Sequence, residues 1–181
     1  KHSELQPGMK EMEEMEEAQR LSAMLKLFTP GAIVEVAGTE EGFLGSWYSA
    51  EVLEVREARS SVRIRVCYEA FKEKDGSLWE DWADPANVRP KPPSPHAADF
   101  ARVLPAGSPV EILIKEGWWE VVLRGAWAGS YTVHSTRYNV THTVPASHLR
   151  PGWKWLSTRS DFTTYGKGER PPNLEPVKQP T

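Results

Sequence analysis

The chain has a single cysteine among its 181 residues, Cys67. One thiol supports neither a disulfide framework nor a multi-thiolate metal site. No apolar run approaches the ~20 residues of a membrane-spanning helix. Residues 1–8 also lack the apolar stretch of a secretory signal. An intracellular protein without membrane contact is expected. The five histidines, His2, His96, His134, His142 and His148, fall at no metal-ligand spacing. Neither a glycine-rich phosphate loop nor a nucleophile elbow is present. Enzymatic activity, a metal and a cofactor are accordingly not expected.

Tryptophan and unevenly placed charge are what the chain does have. Eight Trp residues occur in it, and an indole supplies large contact area wherever it lies. Residues 1–27 hold 6 acidic and 4 basic side chains, 28–93 hold 12 and 8, and 94–181 hold 7 and 10. An acidic first part favours a cationic partner, whereas the mildly basic second part tolerates phosphate.

Met9, Met12, Met15, Leu21 and Leu25 recur at three- and four-residue intervals among strong helix formers. The spacing predicts an acidic amphipathic helix within 1–27, ended by Thr29-Pro30-Gly31. From Ala32 the period changes to two. Ile33, Val34 and Val36 are followed by Trp47-Tyr48-Ser49-Ala50-Glu51-Val52 and by Val62-Arg63-Ile64-Arg65-Val66-Cys67-Tyr68, then by Trp79-Glu80-Asp81-Trp82. These are short strands separated by charged, glycine-containing turns. Lys91-Pro92-Pro93-Ser94-Pro95 cannot continue a sheet and marks a boundary.

The pattern then repeats. Pro109-Val110-Glu111-Ile112-Leu113 matches Ile33-Val34-Glu35-Val36, and Gly117-Trp118-Trp119-Glu120 matches Ser46-Trp47-Tyr48-Ser49. His148-Leu149-Arg150-Pro151 echoes Asn87-Val88-Arg89-Pro90. The organisation expected is a helix in 1–27, one β unit in 28–93, a linker in 94–106, a second unit in 107–156 and a tail in 157–181. Each unit is small enough for a lone core to be marginal, so the two should pack together.

Gly31-Ala32-Ile33-Val34-Glu35-Val36, Glu41-Gly42-Phe43-Leu44-Gly45-Ser46-Trp47-Tyr48, Val66-Cys67-Tyr68 and Val88-Arg89-Pro90, taken in that order, resemble an Agenet domain. The second unit, with Gly117-Trp118-Trp119-Glu120 and Leu149-Arg150-Pro151-Gly152-Trp153-Lys154-Trp155, is similar to the second member of a plant tandem Agenet pair. The resemblance covers roughly residues 28–156. It implies an all-β fold of two small Tudor-like (SH3-like) bent barrels packed in tandem behind an N-terminal α-helix. It also implies a nuclear chromatin reader of a methylated histone H3 tail, with dimethylated lysine 9 of heterochromatin as the first choice of mark.

Methylation removes N–H donors from an ammonium group but leaves its charge. A reader therefore combines aromatic faces with negative potential, each cation–π contact contributing about 0.5–2 kcal/mol. By the Tudor pattern the cage positions hold Phe43, Trp47, Tyr48, Tyr68 and Phe71. Strand parity places Tyr48 with Ala50 and Val52 and sets Trp47 on the other face, so only one of the two should face the cage. Glu40, Glu41 and Glu69 are the candidate carboxylates, and Trp118, Trp119 and Tyr138 the candidate contacts of the second unit. Two alternatives stand beside this reading. RNA or DNA binding would use Arg124, Arg137, Arg150, Lys154 and Arg159 with Trp153, Trp155 and Tyr131. A scaffold role would use the helix in 9–25 to bind a protein partner.

Overall fold

The computed structural model describes residues 7–58, 61–94, 96–97 and 99–176. Residues 1–6 of the expected helical extension, with His2, residues 95 and 98 of the linker, and residues 177–181 of the expected tail lie outside the described residues.

Helix α1 (Pro7–Leu27) forms where the helix formers cluster, but Met9, Met12 and Met15 are all exposed. The reason is geometric. Each residue turns about 100°, so a strict three-residue spacing drifts by about 60° per step. Met9 and Leu25 thus lie on nearly opposite sides, and the amphipathic face expected over 9–25 does not form. Only the C-terminal end engages the body. Met24 packs on the first core and its carbonyl accepts the Phe28 N–H at 3.1 Å, and Phe28 is fully buried. Among the described residues no helix is long and apolar enough to cross a membrane.

The first unit runs β1 (Ile33–Ala37), β2 (Ser46–Ala58), β3 (Ser61–Lys72), β4 (Leu78–Ala83) and β5 (Val88–Pro90). The second runs β6 (Pro109–Ile114), β7 (Gly117–Trp127), β8 (Ser130–Ser135), β9 (Val140–Pro145) and β10 (Leu149–Pro151). Both have one topology: a four-strand antiparallel meander whose fifth strand returns to pair with the first, β5 on β1 and β10 on β6. Each carries a register shift at the same place in its second strand, between Val52 and Glu54 and between Leu123 and Gly125. Such a bulge bends a strand. The expected barrels are thus bent but open sheets, since β4 has no ladder to β5 and β9 none to β10.

Each unit has its own apolar core. Val34, Ala50, Val52, Ile64 and Val66 centre the first, and Val110, Ile112, Val121, Leu123 and Val133 the second. Alternation supplies both, because every second side chain points inward. The segment expected as a linker is drawn in as well, with Ala101 in the second core and His96 Nε2 hydrogen-bonded to the Leu149 carbonyl at 3.0 Å.

The starts of β2 and β7 pair antiparallel, Ser46 with Trp119, Trp47 with Trp118 and Tyr48 with Gly117, and join the units into one ten-stranded sheet. Trp47 and Trp118 are repeat equivalents, so the units meet about an approximate two-fold axis. At that junction Glu35, Glu111, Arg89 and Arg150 are buried together. Arg150 donates to both Glu35 oxygens at 2.8 and 2.9 Å and to Glu111 Oε1 at 2.7 Å. Arg89 donates to Glu35 Oε1 at 2.8 Å and to Glu111 Oε1 at 3.0 Å. Two carboxylates and two guanidiniums cancel, which is the condition for burying four charges.

Beyond residue 156 the chain does not behave as the expected tail. Strand β12 (Asp161–Thr164) pairs with β11 (Trp153–Leu156), and Leu174 is buried to 1% exposure. Its composition, poor in apolar residues, concealed that one leucine and backbone carbonyls do the docking.

Candidate functional site

Strands β1 and β2 are joined in the first unit by residues 38–45, whereas β6 and β7 are joined by a short turn. The longer loop brings Phe43 and Glu40 to the end of the sheet. A cavity of about 190 Å³ opens there, lined by the rings of Phe43, Tyr48, Tyr68, Phe71 and Trp79 and by Glu40 and Asp81. It is smaller than the roughly 300–1,000 Å³ of drug-sized ligand sites and suits the end of one side chain. Phe71 stands among the other rings, with centroids 4.6 Å from Tyr48, 5.4 Å from Tyr68, 5.9 Å from Trp79 and 6.3 Å from Phe43.

Local backbone decides which aromatics arrive. Tyr48 shares its strand face with the buried Ala50 and Val52 and forms part of the lining. Its ring lies over Gly117, where a Cβ would come within 2.5 Å of Tyr48 Cζ. Tyr68 and Phe71, three residues apart, would face opposite ways on a regular strand. The register shift between Cys67 and Lys72 lets both line the cavity. Trp79 and Asp81, two apart on β4, reach it by plain alternation. These two are the aromatic and the acidic lining residue that sequence reasoning missed, although the alternation in Trp79-Glu80-Asp81-Trp82 already placed them on one face.

Negative charge accompanies the rings. Burial, and after it the nearby Asp81 carboxylate, push the Tyr68 hydroxyl up to about 12. The second of these causes places a carboxylate beside the rings.

Not every expected contact is at the cavity. Trp47 does not line it: its ring covers the guanidinium of Arg89 at 3.8 Å and its Nε1 donates to Glu120 Oε1 at 2.9 Å. Trp118 likewise covers Arg150 at 4.2 Å. Both indoles stack on the protein's own cations because parity turns them toward the junction. Glu41 and Glu69 are exposed and do not line the cavity. Trp119 stands behind it, stacked 6.4 Å from Phe43, and Tyr138 donates its hydroxyl to the Leu44 carbonyl at 2.8 Å. The second unit has neither the long loop nor a register shift between its third and fourth strands, so it repeats the scaffold without these two features.

Four residues of the nucleic-acid alternative are engaged within the protein. Arg150 is committed to the charge cluster, and Tyr131 is buried in the second core. Arg137 donates to the carbonyls of Asn173 and Glu175, and Lys154 pairs with Glu169.

A family model of the Agenet domain matches residues 31–93, the span that builds the cavity. Residues 31–93 are an Agenet domain. Among curated relatives, the Arabidopsis thaliana Protein AGENET DOMAIN (AGD)-CONTAINING P1 is 34% identical over 111 residues, 60% of this chain and 20% of that protein. DUF724 domain-containing protein 6, also from Arabidopsis thaliana, is 30% identical over 133 residues, 70% of this chain and 19% of the relative. The chain thus spans about a fifth of the length of these relatives. Among solved structures, Arabidopsis thaliana AGDP1 AGD34 superposes with a TM-score of 0.67 at 25% identity, covering 82% of this chain and 96% of that one. ADCP1 tandem Agenet domain 3-4 gives 0.65 at 24% identity, covering 82% and 94%, a likeness of fold. The described units are a tandem Agenet pair with a Tudor-like reader fold.

Proposed function

We propose that the first Agenet unit binds a methylated lysine side chain, that of a histone H3 tail, as part of a nuclear chromatin reader. The observation that carries this reading is the cavity of about 190 Å³ walled by five aromatic rings and two carboxylates. A methylated ammonium is a cation that has lost donors, and this lining offers it π faces and charge with few obligatory hydrogen bonds. The Asp81 and Glu40 carboxylates suit a state that retains one N–H, which favours dimethyl over trimethyl lysine. Lysine 9 of H3 is taken from the family resemblance and is the first mark to test.

Calorimetric titration against H3 peptides unmodified or mono-, di- or trimethylated at lysines 4, 9, 27 and 36 decides the matter. Micromolar binding confined to one lysine and favouring methylation is the expected result. No heat with any peptide sinks the proposal.

Cage variants give a second check. Phe71→Ala or Tyr68→Ala is expected to weaken the methylated peptide by about 1–3 kcal/mol while the circular dichroism spectrum is retained. Both rings are half-buried; Tyr68 also packs against the first core whereas Phe71 does not, so Phe71→Ala is the cleaner of the two. Two variants that bind like the parent would place the ligand elsewhere. Trp47→Phe, in contrast, is expected to act on stability, since the indole serves Arg89 and Glu120.

A further inference from the structure

Phe43 is 41% exposed, and its loop contains Gly42 and Gly45, both with positive φ. Eight residues of this kind do not fix a ring by themselves, because ordering each costs roughly 1–2 kcal/mol of backbone entropy. The loop closes on itself through the Gly38, Phe43 and Ser46 N–H groups and the Ser46 hydroxyl, and contacts from outside the first unit add to that order. The Glu120 N–H donates to the Gly45 carbonyl at 2.8 Å, and the Tyr138 hydroxyl donates to that of Leu44 at 2.8 Å. Arg137, beside Tyr138, donates through Nε to the Asn173 carbonyl and through Nη2 to that of Glu175, each at 2.7 Å. The same Asn173 carbonyl oxygen lies 3.4 Å from the position a Cβ would take on Gly45. The nearly fully buried Leu174 anchors this stretch.

We propose that residues 170–175 form a strap which, with Tyr138, holds residues 38–45 in place and so positions Phe43 in the wall of the first unit's cage. Tyr138 and the strap are positioning elements: they touch the loop and not the bound cation. The second Agenet unit and the C-terminal segment thereby set the affinity of a site that neither of them lines. A ring held in its bound position before the ligand arrives removes an ordering cost from binding. This inference rests on the reading of the cavity as a methyl-lysine cage, but the loop order it requires exists without ligand.

The test uses the full chain in two variants, Tyr138→Phe, which removes one hydroxyl from a partly exposed ring, and Leu174→Asp, which lifts the strap. Two readouts are taken. The first is hydrogen exchange at the Phe43 and Ser46 amides, which close the loop on the carbonyls of Glu40 and Phe43. The second is calorimetry with a dimethyl-lysine H3 peptide, repeated in a Phe43→Ala background.

Faster exchange at both amides is expected, together with affinity lower by about three- to tenfold, the factor for one neutral hydrogen bond. No further loss is expected once Phe43 is gone. Unchanged exchange overturns the proposal, as does an affinity loss that is the same with and without Phe43, which would mark a general structural role. If Leu174→Asp fails to fold, Tyr138→Phe decides by the same criteria. If the parent chain binds no methylated peptide, the cage reading fails, and the exchange result alone decides whether the strap orders the loop.

Discussion

Replacement of Glu111 by Ala is expected to destabilise the whole tandem by about 3–5 kcal/mol, the usual cost of breaking a buried ion pair from one side. For a chain of this size that lowers the melting temperature by roughly 10 °C or more. Glu111 is fully enclosed and accepts from Arg89, from Arg150 and, through Oε2, from the Trp153 N–H at 3.0 Å. Burial alone would raise its carboxyl. The two guanidiniums outweigh that and hold it below its ordinary value. Alanine leaves two buried cations facing Glu35 alone and an indole-bearing backbone N–H without its acceptor. Because the cluster draws two residues from each unit, the loss should appear in one cooperative denaturant transition. Glu111→Gln, which keeps the shape and one acceptor, should lose less. A loss below about 1 kcal/mol for the alanine variant would mean that the junction does not depend on the cluster.

Stability is also expected to fall as pH rises from about 5 to 8. Glu120 accepts from Trp47 through Oε1, while its Oε2 is buried without a partner among the described residues. Burial pushes this carboxyl up from 4.5 to about 7. The sign follows from where the proton sits. Below 4.5 folded and unfolded chains both carry it, so the stabilising contribution is fully present. Between 4.5 and 7 only the folded chain carries it, and every pH unit removes about 1.4 kcal/mol. Through that window the loss reaches about 3 kcal/mol. Glu111, with its lowered value, loses its own contribution only as pH falls below the carboxylate range, so the two effects occupy separate windows. Urea denaturation at pH 5.5 and 8 measures the difference, and Glu120→Gln is expected to flatten it by making the neutral form permanent. A parent profile already flat between these values would refute the assignment to Glu120.

Much of this architecture can be read locally. The change from helical to two-residue periodicity at Ala32 identifies the strands, because alternation is what a half-buried strand needs. The repeated Val-Glu-hydrophobic and Arg-Pro motifs disclose two copies of one unit. Strand parity places Tyr48 with Ala50 and Val52, whereas the pairing of Tyr68 with Phe71 comes from the family resemblance, since parity alone sets those two on opposite faces. Trp79 and Asp81 lie two apart on the strand Trp79-Glu80-Asp81-Trp82, so alternation alone places them on one face.

Where sequence reading fails, the partner lies far away in the chain. Nothing near Trp47 shows that its ring covers Arg89, and nothing near Arg150 shows that it meets Glu35, 115 residues away. The methionine spacing of α1 suggested a face, and only the packing reveals that no surface is there to meet it. The segment beyond residue 156 looks like a tail by composition, yet one buried leucine and two carbonyls given to Arg137 secure it.

The sequence by itself determined the two β units, their shared order of strands and most of the aromatic supply, since periodicity, turn residues and internal repetition act over a few neighbouring positions. Tertiary structure alone decided which aromatics face an open cavity and which cover the chain's own arginines. It also decided that the second unit and the C-terminal segment steady the loop of the first. Those outcomes depend on a register shift and on contacts between residues distant in sequence, and no local pattern encodes either.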